Sequence, residues 1–292
     1  MPGELTVLSQ ALLVGTVAGL VYALVSTGFS LTFGLMRVVN FGHGAFVMAG
    51  MYFALELFHR YGISPYWSAL AAIPTAFVSG SIIYRYLFQP ILSKPLEMQF
   101  LVGIGIAIVA ENASLYLFGS DIRGVNIEPS TYRIGVGDVG MSMAQLIASV
   151  GAILLACLLT YAIYRTAFGR RLRAVAQDPE AARLCGVRVE RTNLVAFGIG
   201  TAAAGIAGAL IIPFSTVAPT TGLDFSLRAF MVLVIAGVGS IPGLIVAGVL
   251  LGVTESVSGA YLPSAWAQVI ALGVVVLVMI IRPQGVFRRE TW

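Results

Sequence analysis

Charge is what this sequence has least of. Only 10% of its 292 residues are Asp, Glu, Lys or Arg, and Lys94 is the single lysine. Soluble domains carry about 25% charged residues, so an ordinary soluble protein is excluded. Disorder and coiled coil are excluded too, because both need far more charge than this. Histidine is confined to His43 and His59, which rules out a histidine-rich metal centre, and no metal is expected. The two cysteines, Cys157 in an apolar run and Cys185 in a charged loop, lie in different environments and read as free thiols. No phosphate-binding Gly-x-x-x-x-Gly-Lys-Ser/Thr exists, so the chain has no P-loop for ATP. Gly103-x-Gly105 lacks the rest of a dinucleotide fingerprint, no catalytic cluster stands out, and the chain is not expected to be an enzyme. No basic residue precedes Arg37, so the first apolar stretch lacks the charged start of a cleavable signal peptide and is expected to remain.

What is present is apolar sequence: 58% hydrophobic residues and 33 glycines. Uncharged runs cover residues 5–36, 38–55, 61–84, 98–110, 139–164, 192–223, 229–254 and 256–281. Most reach the ~20 residues that carry a helix across ~30 Å of hydrocarbon. The expectation is an all-α, polytopic integral membrane protein with about eight hydrophobic regions, forming one domain over residues 1–292. The net charge of +4 comes from arginines between these runs, a positive-inside pattern rather than a nucleic-acid footprint. The loop 165–192 carries Arg165, Arg170, Arg171, Arg173, Arg183, Arg188 and Arg191, so it is assigned to the cytoplasm. That puts Arg37 and the loop from Arg85 to Lys94 inside, and Arg60, Arg123, Arg133 and Arg228 outside.

Three plain crossings after residue 192 would leave Arg282, Arg288 and Arg289 outside, against the same rule. Gly237, Gly239, Ser240, Ile241, Pro242 and Gly243 offer a helix break within 229–254. Two short helices that enter and turn back there would return the tail to the cytoplasm. In the first half, run 5–36 would be roughly 48 Å as a helix, with a possible bend at Ser26, Thr27 and Gly28. Asn40-Phe41-Gly42-His43-Gly44 interrupts the next segment. Broken or re-entrant segments in both halves, and the likeness of Gly44–Gly50 to Gly243–Gly248, suggest an internal repeat. Paired breaks of this kind mark a substrate path near the midplane, where freed backbone N–H groups meet polar ligand atoms. The candidate path residues are Asn40, Phe41, Gly42, His43, Gly44, Gly239, Ser240, Pro242 and Gly243. The alternative for each glycine is close helix packing, and for His43 a helix cap. Glu56, Glu111 and Glu255 lie in or beside apolar sequence, and each must face a cavity, a partner or the interface.

The arginine-rich loop holds a complete short helix. Asp178 is an N-cap, Pro179 suits the first turn, Glu180 favours the positive end, Ala181 and Ala182 propagate it, and Gly186 closes it. So few residues rarely hold a helix alone in water, so this one requires a docking surface, whether a protein or anionic lipid. Glu180-Ala181-Ala182 followed by Gly186 is similar to the Glu-Ala-Ala-x-x-x-Gly motif of ABC importer permeases. Gly169–Ala174, Gly186-Val187, Asn40–Gly44, Gly237–Gly243 and Arg282-Pro283-Gln284-Gly285 resemble the branched-chain amino acid permeases of LivH type. The general motif's further Ile-x-Leu-Pro is not clear here, which favours the branched-chain branch.

The resemblance implies a permease subunit forming half of a path for branched-chain or other apolar amino acids in a prokaryotic inner membrane. It implies a second related permease, two cytoplasmic ATPases that bind the ATP, an external solute-binding protein and surrounding lipid as partners. Asp178, Pro179, Glu180, Ala181, Ala182 and Gly186 would be the ATPase-coupling helix; no cofactor is expected on this chain. A urea or short-amide permease resembles the same pattern. A passive channel for small neutral solutes shares the half-helices but has no use for the coupling helix.

Overall fold

The computed structural model describes residues 2–36, 40–125, 132–136, 139–237 and 239–287, so Arg37, Arg288 and Arg289 lie outside the described residues. Eleven α-helices account for most of them: α1 Pro2–Met36, α2 His43–Tyr61, α3 Pro65–Ile83, α4 Leu96–Phe118, α5 Met143–Arg165, α6 Ala167–Gln177, α7 Pro179–Leu184, α8 Val189–Ile211, α9 Thr221–Ala236, α10 Ile241–Tyr261 and α11 Ser264–Ile281. Six are long and apolar enough to cross a membrane, namely α1, α3, α4, α5, α8 and α10, with α3 continuing through a π-helical turn at Tyr84–Phe88. A two-stranded hairpin, β1 Arg133–Val136 and β2 Val139–Ser142, pairs antiparallel before α5. The chain is a polytopic helical membrane protein.

Small residues set the packing. Gly15 and Gly19 of α1 face Gly248 and Gly252 of α10; a Cβ on Gly15 would stand 2.6 Å from the Val253 Cα. Two Gly-x-x-x-Gly rows crossing in this way let backbones touch, which replaces the hydrophobic drive that lipid removes. α8 is the most enclosed span and packs against α1, α2 and α3. Its Phe197 anchors an aromatic cluster with Phe46, Tyr84 and Phe88.

Two expectations about helix breaks are corrected. α1 has no break at Ser26–Gly28. The hydroxyls of Ser26 and Thr27 bond back to the carbonyls of Tyr22 and Ala23, and Gly28 abuts Gly200, so these residues serve packing. Nor does 229–254 hold two short re-entrant helices. Only α9 is short, and α10 is a full 21-residue helix. At 16 residues α9 spans about 24 Å, less than the ~30 Å of hydrocarbon. It is entered through 212–220, a strap that Arg123 pins from the far loop by exchanging backbone bonds with Val217 (2.9 and 2.8 Å).

Arg228 is not in an external loop either. It lies within α9, with its Nε 3.6 Å from Glu255 Oε2 and its guanidinium over the Tyr22 ring. Tyr22 donates to the same carboxylate at 2.7 Å. A compensated charge can sit inside a helix, so reading it as a boundary merged α9 into its neighbours. Four helices therefore follow residue 188, and the tail returns to the end from which α8 starts. Val286 and Phe287 donate to the carbonyls of Ile235 and Ala236 (2.9 and 3.0 Å), at the α9–α10 turn. That turn meets the end of α5, where Tyr164 donates to the Gly239 carbonyl at 3.1 Å.

Candidate functional site

α2 starts inside the bundle rather than at its edge. The His43 ring is buried with Nε2 3.2 Å from the Val25 carbonyl, in contact with Phe29. Val25 lies 11 residues before the end of α1, so α2 begins about 16 Å in from that end. Asn40 shapes the entry: its Oδ1 accepts from the Gly42 N–H and its carbonyl from the His43 N–H, both at 3.0 Å. The Asn40 Nδ2 and His43 Nδ1 atoms are buried without a hydrogen-bond partner.

The start of α9 meets the start of α2. The Gly44 N–H donates to Ser226 Oγ at 2.8 Å, and the Ser226 hydroxyl donates to the Phe41 carbonyl at 2.5 Å. Gly44 packs so closely on the Gly222 carbonyl that no Cβ fits. One serine thus joins two helices that both begin within the bundle. First-turn N–H groups have no partner from a preceding turn of their own helix, and here Ser226 Oγ and the Asn40 carbonyl take those of Gly44 and His43 where two positive helix ends come together. Phe41 closes over it, edge-on to Phe100 and tilted on Phe230. Beside it lies a cavity of about 410 Å³ between α2, α4 and α9, lined by Phe41, Ala45, Met48, Phe100, Ile104, Ala107, Ile108, Glu111, Pro219 and, on α9, Gly222, Leu223 and Leu227.

Gly239, Ser240, Pro242 and Gly243 take other neighbours. Gly239 has φ +94° at the turn, and Ser240 caps α10 by accepting from the Gly243 N–H at 3.1 Å. A Cβ on Gly243 would stand 2.7 Å from Phe287 Cβ of the tail. The pair formed by the structure is therefore Asn40–Gly44 with Gly222–Ser226. Sequence reading missed Gly222 and Ser226; the only local signal was Thr220-Thr221-Gly222, a helix start lost inside a run counted as one span.

The segment 178–186 is built as its residues dictate. Asp178 Oδ1 accepts from the N–H groups of Glu180 and Ala181 (2.9 and 3.0 Å), Pro179 fills the first turn, and Gly186 takes φ +80° after the end. Ala182 faces inward, in a small cluster with Val175 of α6 and Val189 of α8. Glu180, Ala181 and Arg183 are exposed, and Leu184 is 90% exposed at the tip. Behind it, Arg173 of α6 donates to the Ile163 carbonyl and stacks on Tyr164. α6 thus touches α7 through Val175 and the end of α5 through Arg173, and Tyr164 there meets Gly239 of the α9–α10 turn.

Half-helices that meet within a bundle are an arrangement found in solute permeases. Comparison with known proteins agrees: residues 11–279 match the family described as the branched-chain amino acid transport system / permease component, and the chain belongs to that family. It is 29% identical to the high-affinity branched-chain amino acid transport system permease protein LivH of Salmonella typhimurium, over 96% of this chain and 95% of that protein. Its likeness to the corresponding permease protein BraD of Pseudomonas aeruginosa is 28% over the same shares. With the permease protein LivM of Escherichia coli it shares 25% identity over 91% of this chain and 67% of the other.

Proposed function

We propose that this transport permease is one of two related permease subunits of an ATP-binding-cassette importer in a prokaryotic inner membrane. Its substrate is a branched-chain or other apolar amino acid. The substrate class is supported by the names of its relatives, and the second permease by its likeness to both LivH and LivM. The cavity walls agree with such a solute: they are apolar except for Glu111. ATP is bound and hydrolysed by two cytoplasmic partners, and an external solute-binding protein delivers the substrate and carries the affinity.

The observation that carries the drive is α7. It is a capped helix of six residues with its apolar Leu184 turned outward, which needs a partner to cover it. Asp178, Pro179, Glu180, Ala181 and Gly186 shape and present it, and Ala182 fixes it to α6 and α8. ATPase closure pushes α7, and the push reaches the α9–α10 turn through Val175, Arg173 and Tyr164. Gly239, Ser240, Pro242 and Gly243 act as the cytoplasmic hinge of α9. Rocking α9 moves Ser226 and Gly222 relative to Asn40, Phe41, Gly42, His43 and Gly44, opening the path on one side at a time.

The test is reconstitution of this chain with its partner permease, both ATPases and the binding protein in proteoliposomes. ATP enclosed on the ATPase side should drive leucine uptake against a gradient. Uptake that is equal without ATP would make the chain a passive path and end this reading.

A further inference from the structure

Glu56, Glu111 and Glu255 stand on α2, α4 and α10, and their surroundings differ. Glu56 is held by Arg60, one turn on, at 2.5 Å. Glu255 is met by Arg228 and by the Tyr22 hydroxyl. Glu111 forms no ion pair among the described residues. It stands on α4, seven residues before Phe118, about 10 Å in from that helix end. An ionised acid at membrane depth costs on the order of 2.5–3.5 kcal/mol unless water or a cation meets it.

What Glu111 faces is the cavity. The space of about 410 Å³ falls within the range of small-molecule sites, and such sites combine apolar walls with very few polar groups. Here Glu111 is the sole charged lining residue; Phe41, Ile104, Leu223 and Leu227 are among the apolar ones. The cavity borders the junction of α2 and α9, so any displacement of α9 changes its width. An apolar pocket with one fixed negative charge is complementary to a small molecule with an apolar body and one cationic group.

We infer that Glu111 receives the ammonium group of a zwitterionic apolar amino acid, while the side chain of that amino acid lies against the Phe41–Leu223–Leu227 wall. This rests on the importer reading above. It adds a transient recognition point inside the permease, distinct from the external binding protein. Glycine or alanine leaves much of the wall uncovered, and an apolar acid without an amino group leaves Glu111 unmatched.

The experiment uses the assembled complex in proteoliposomes, with Cys157 and Cys185 replaced by serine and Ile108→Cys placed one turn from Glu111. Labelling by a small hydrophilic thiol reagent is followed with leucine, 3-methylbutylamine or 4-methylpentanoate over the same range of concentrations. Half-protection by leucine and the amine should come at about tenfold or more lower concentration than by the carboxylate, the affinity ratio that one charge-assisted contact of roughly 1.5 kcal/mol carries. Adding Glu111→Gln should abolish protection by the amine, and Glu111→Asp should retain part of it. Equal protection by 4-methylpentanoate, or none by any of the three in every nucleotide state, would overturn the inference. So would separation of the two permeases by Glu111→Gln, since the carboxylate would then be an interface charge. ATP-driven leucine uptake by the parent complex is measured in parallel. If it is absent the importer reading fails, and if it is present while protection is absent only the role of Glu111 fails.

Discussion

Ser226→Ala tests the junction of the two half-helices with a small change in volume. The hydroxyl satisfies the Phe41 carbonyl at 2.5 Å and the Gly44 N–H at 2.8 Å, and Ser226 is fully buried. Removing it strands one acceptor and one first-turn donor at a fully buried position. Each orphaned buried group costs about 1–3 kcal/mol. Measured side-chain bonds between membrane helices are weaker, averaging ~0.6 kcal/mol, because the loosened state finds other partners. About 2 kcal/mol for the pair is the resulting expectation, which is roughly thirtyfold in an equilibrium constant. Reversible unfolding of the detergent-solubilised chain in a denaturing detergent should show that loss, and leucine uptake should fall with it. Ser79→Ala is the control, because that hydroxyl is exposed and bonds only to the Ala76 carbonyl of its own helix. It should stay within about ±0.5 kcal/mol of the parent. If Ser226→Ala behaves like Ser79→Ala in both assays, the junction does not hold α2 and α9 together.

The remaining expectations concern other joints. Arg228→Ala leaves the Glu255 carboxylate with the Tyr22 hydroxyl but no counter-charge and should cost on the order of 3 kcal/mol of unfolding free energy; Arg228→Met with Glu255→Met should recover most of it, and no recovery would mean that the pair is not the cause. Asp178→Ala removes an N-cap with two backbone bonds and should cost about 1 kcal/mol locally, visible as faster amide exchange in α7 with exchange in α8 unchanged. Tyr164→Phe should lower the leucine imported per ATP without altering expression, and an unchanged ratio would remove Tyr164 from the transmission route. A reporter active only outside the cell, fused after Trp292, should stay silent because the tail pairs with Ile235 and Ala236 beside the end of α5; activity would invert the topology.

Legibility in the sequence follows the range of the forces involved. α7 was readable because a cap, a proline and a glycine act within a few residues of one another. α1, α3, α5 and α8 were readable from continuous apolar length, whereas Glu111 and Glu255 interrupt the apolar runs of α4 and α10. α9 was not, since Asp224 and Arg228 look like a loop until Glu255, 27 residues further on, is seen to hold the arginine. Ser226 pairs with Phe41 and Gly44 across more than 180 residues, and no local pattern announces such a bond. Ser26–Gly28 read as a bend because small polar residues break helices in water. Within a bundle the same hydroxyls bond back to their own helix. Ala182, grouped by motif with the residues facing outward, is turned inward by its contacts with Val175 and Val189.

The central claim is that α7 links hydrolysis in a partner to movement of α9, and simultaneous measurement of ATP hydrolysis and leucine uptake in the reconstituted importer tests it most directly. Leu184→Asp changes only the exposed tip of α7 and leaves its packing on Val175 and Val189 in place. The account predicts continued hydrolysis with uptake per ATP reduced about tenfold or more. Hydrolysis and uptake that keep the parent ratio in Leu184→Asp, and again in Glu180→Arg, would contradict it.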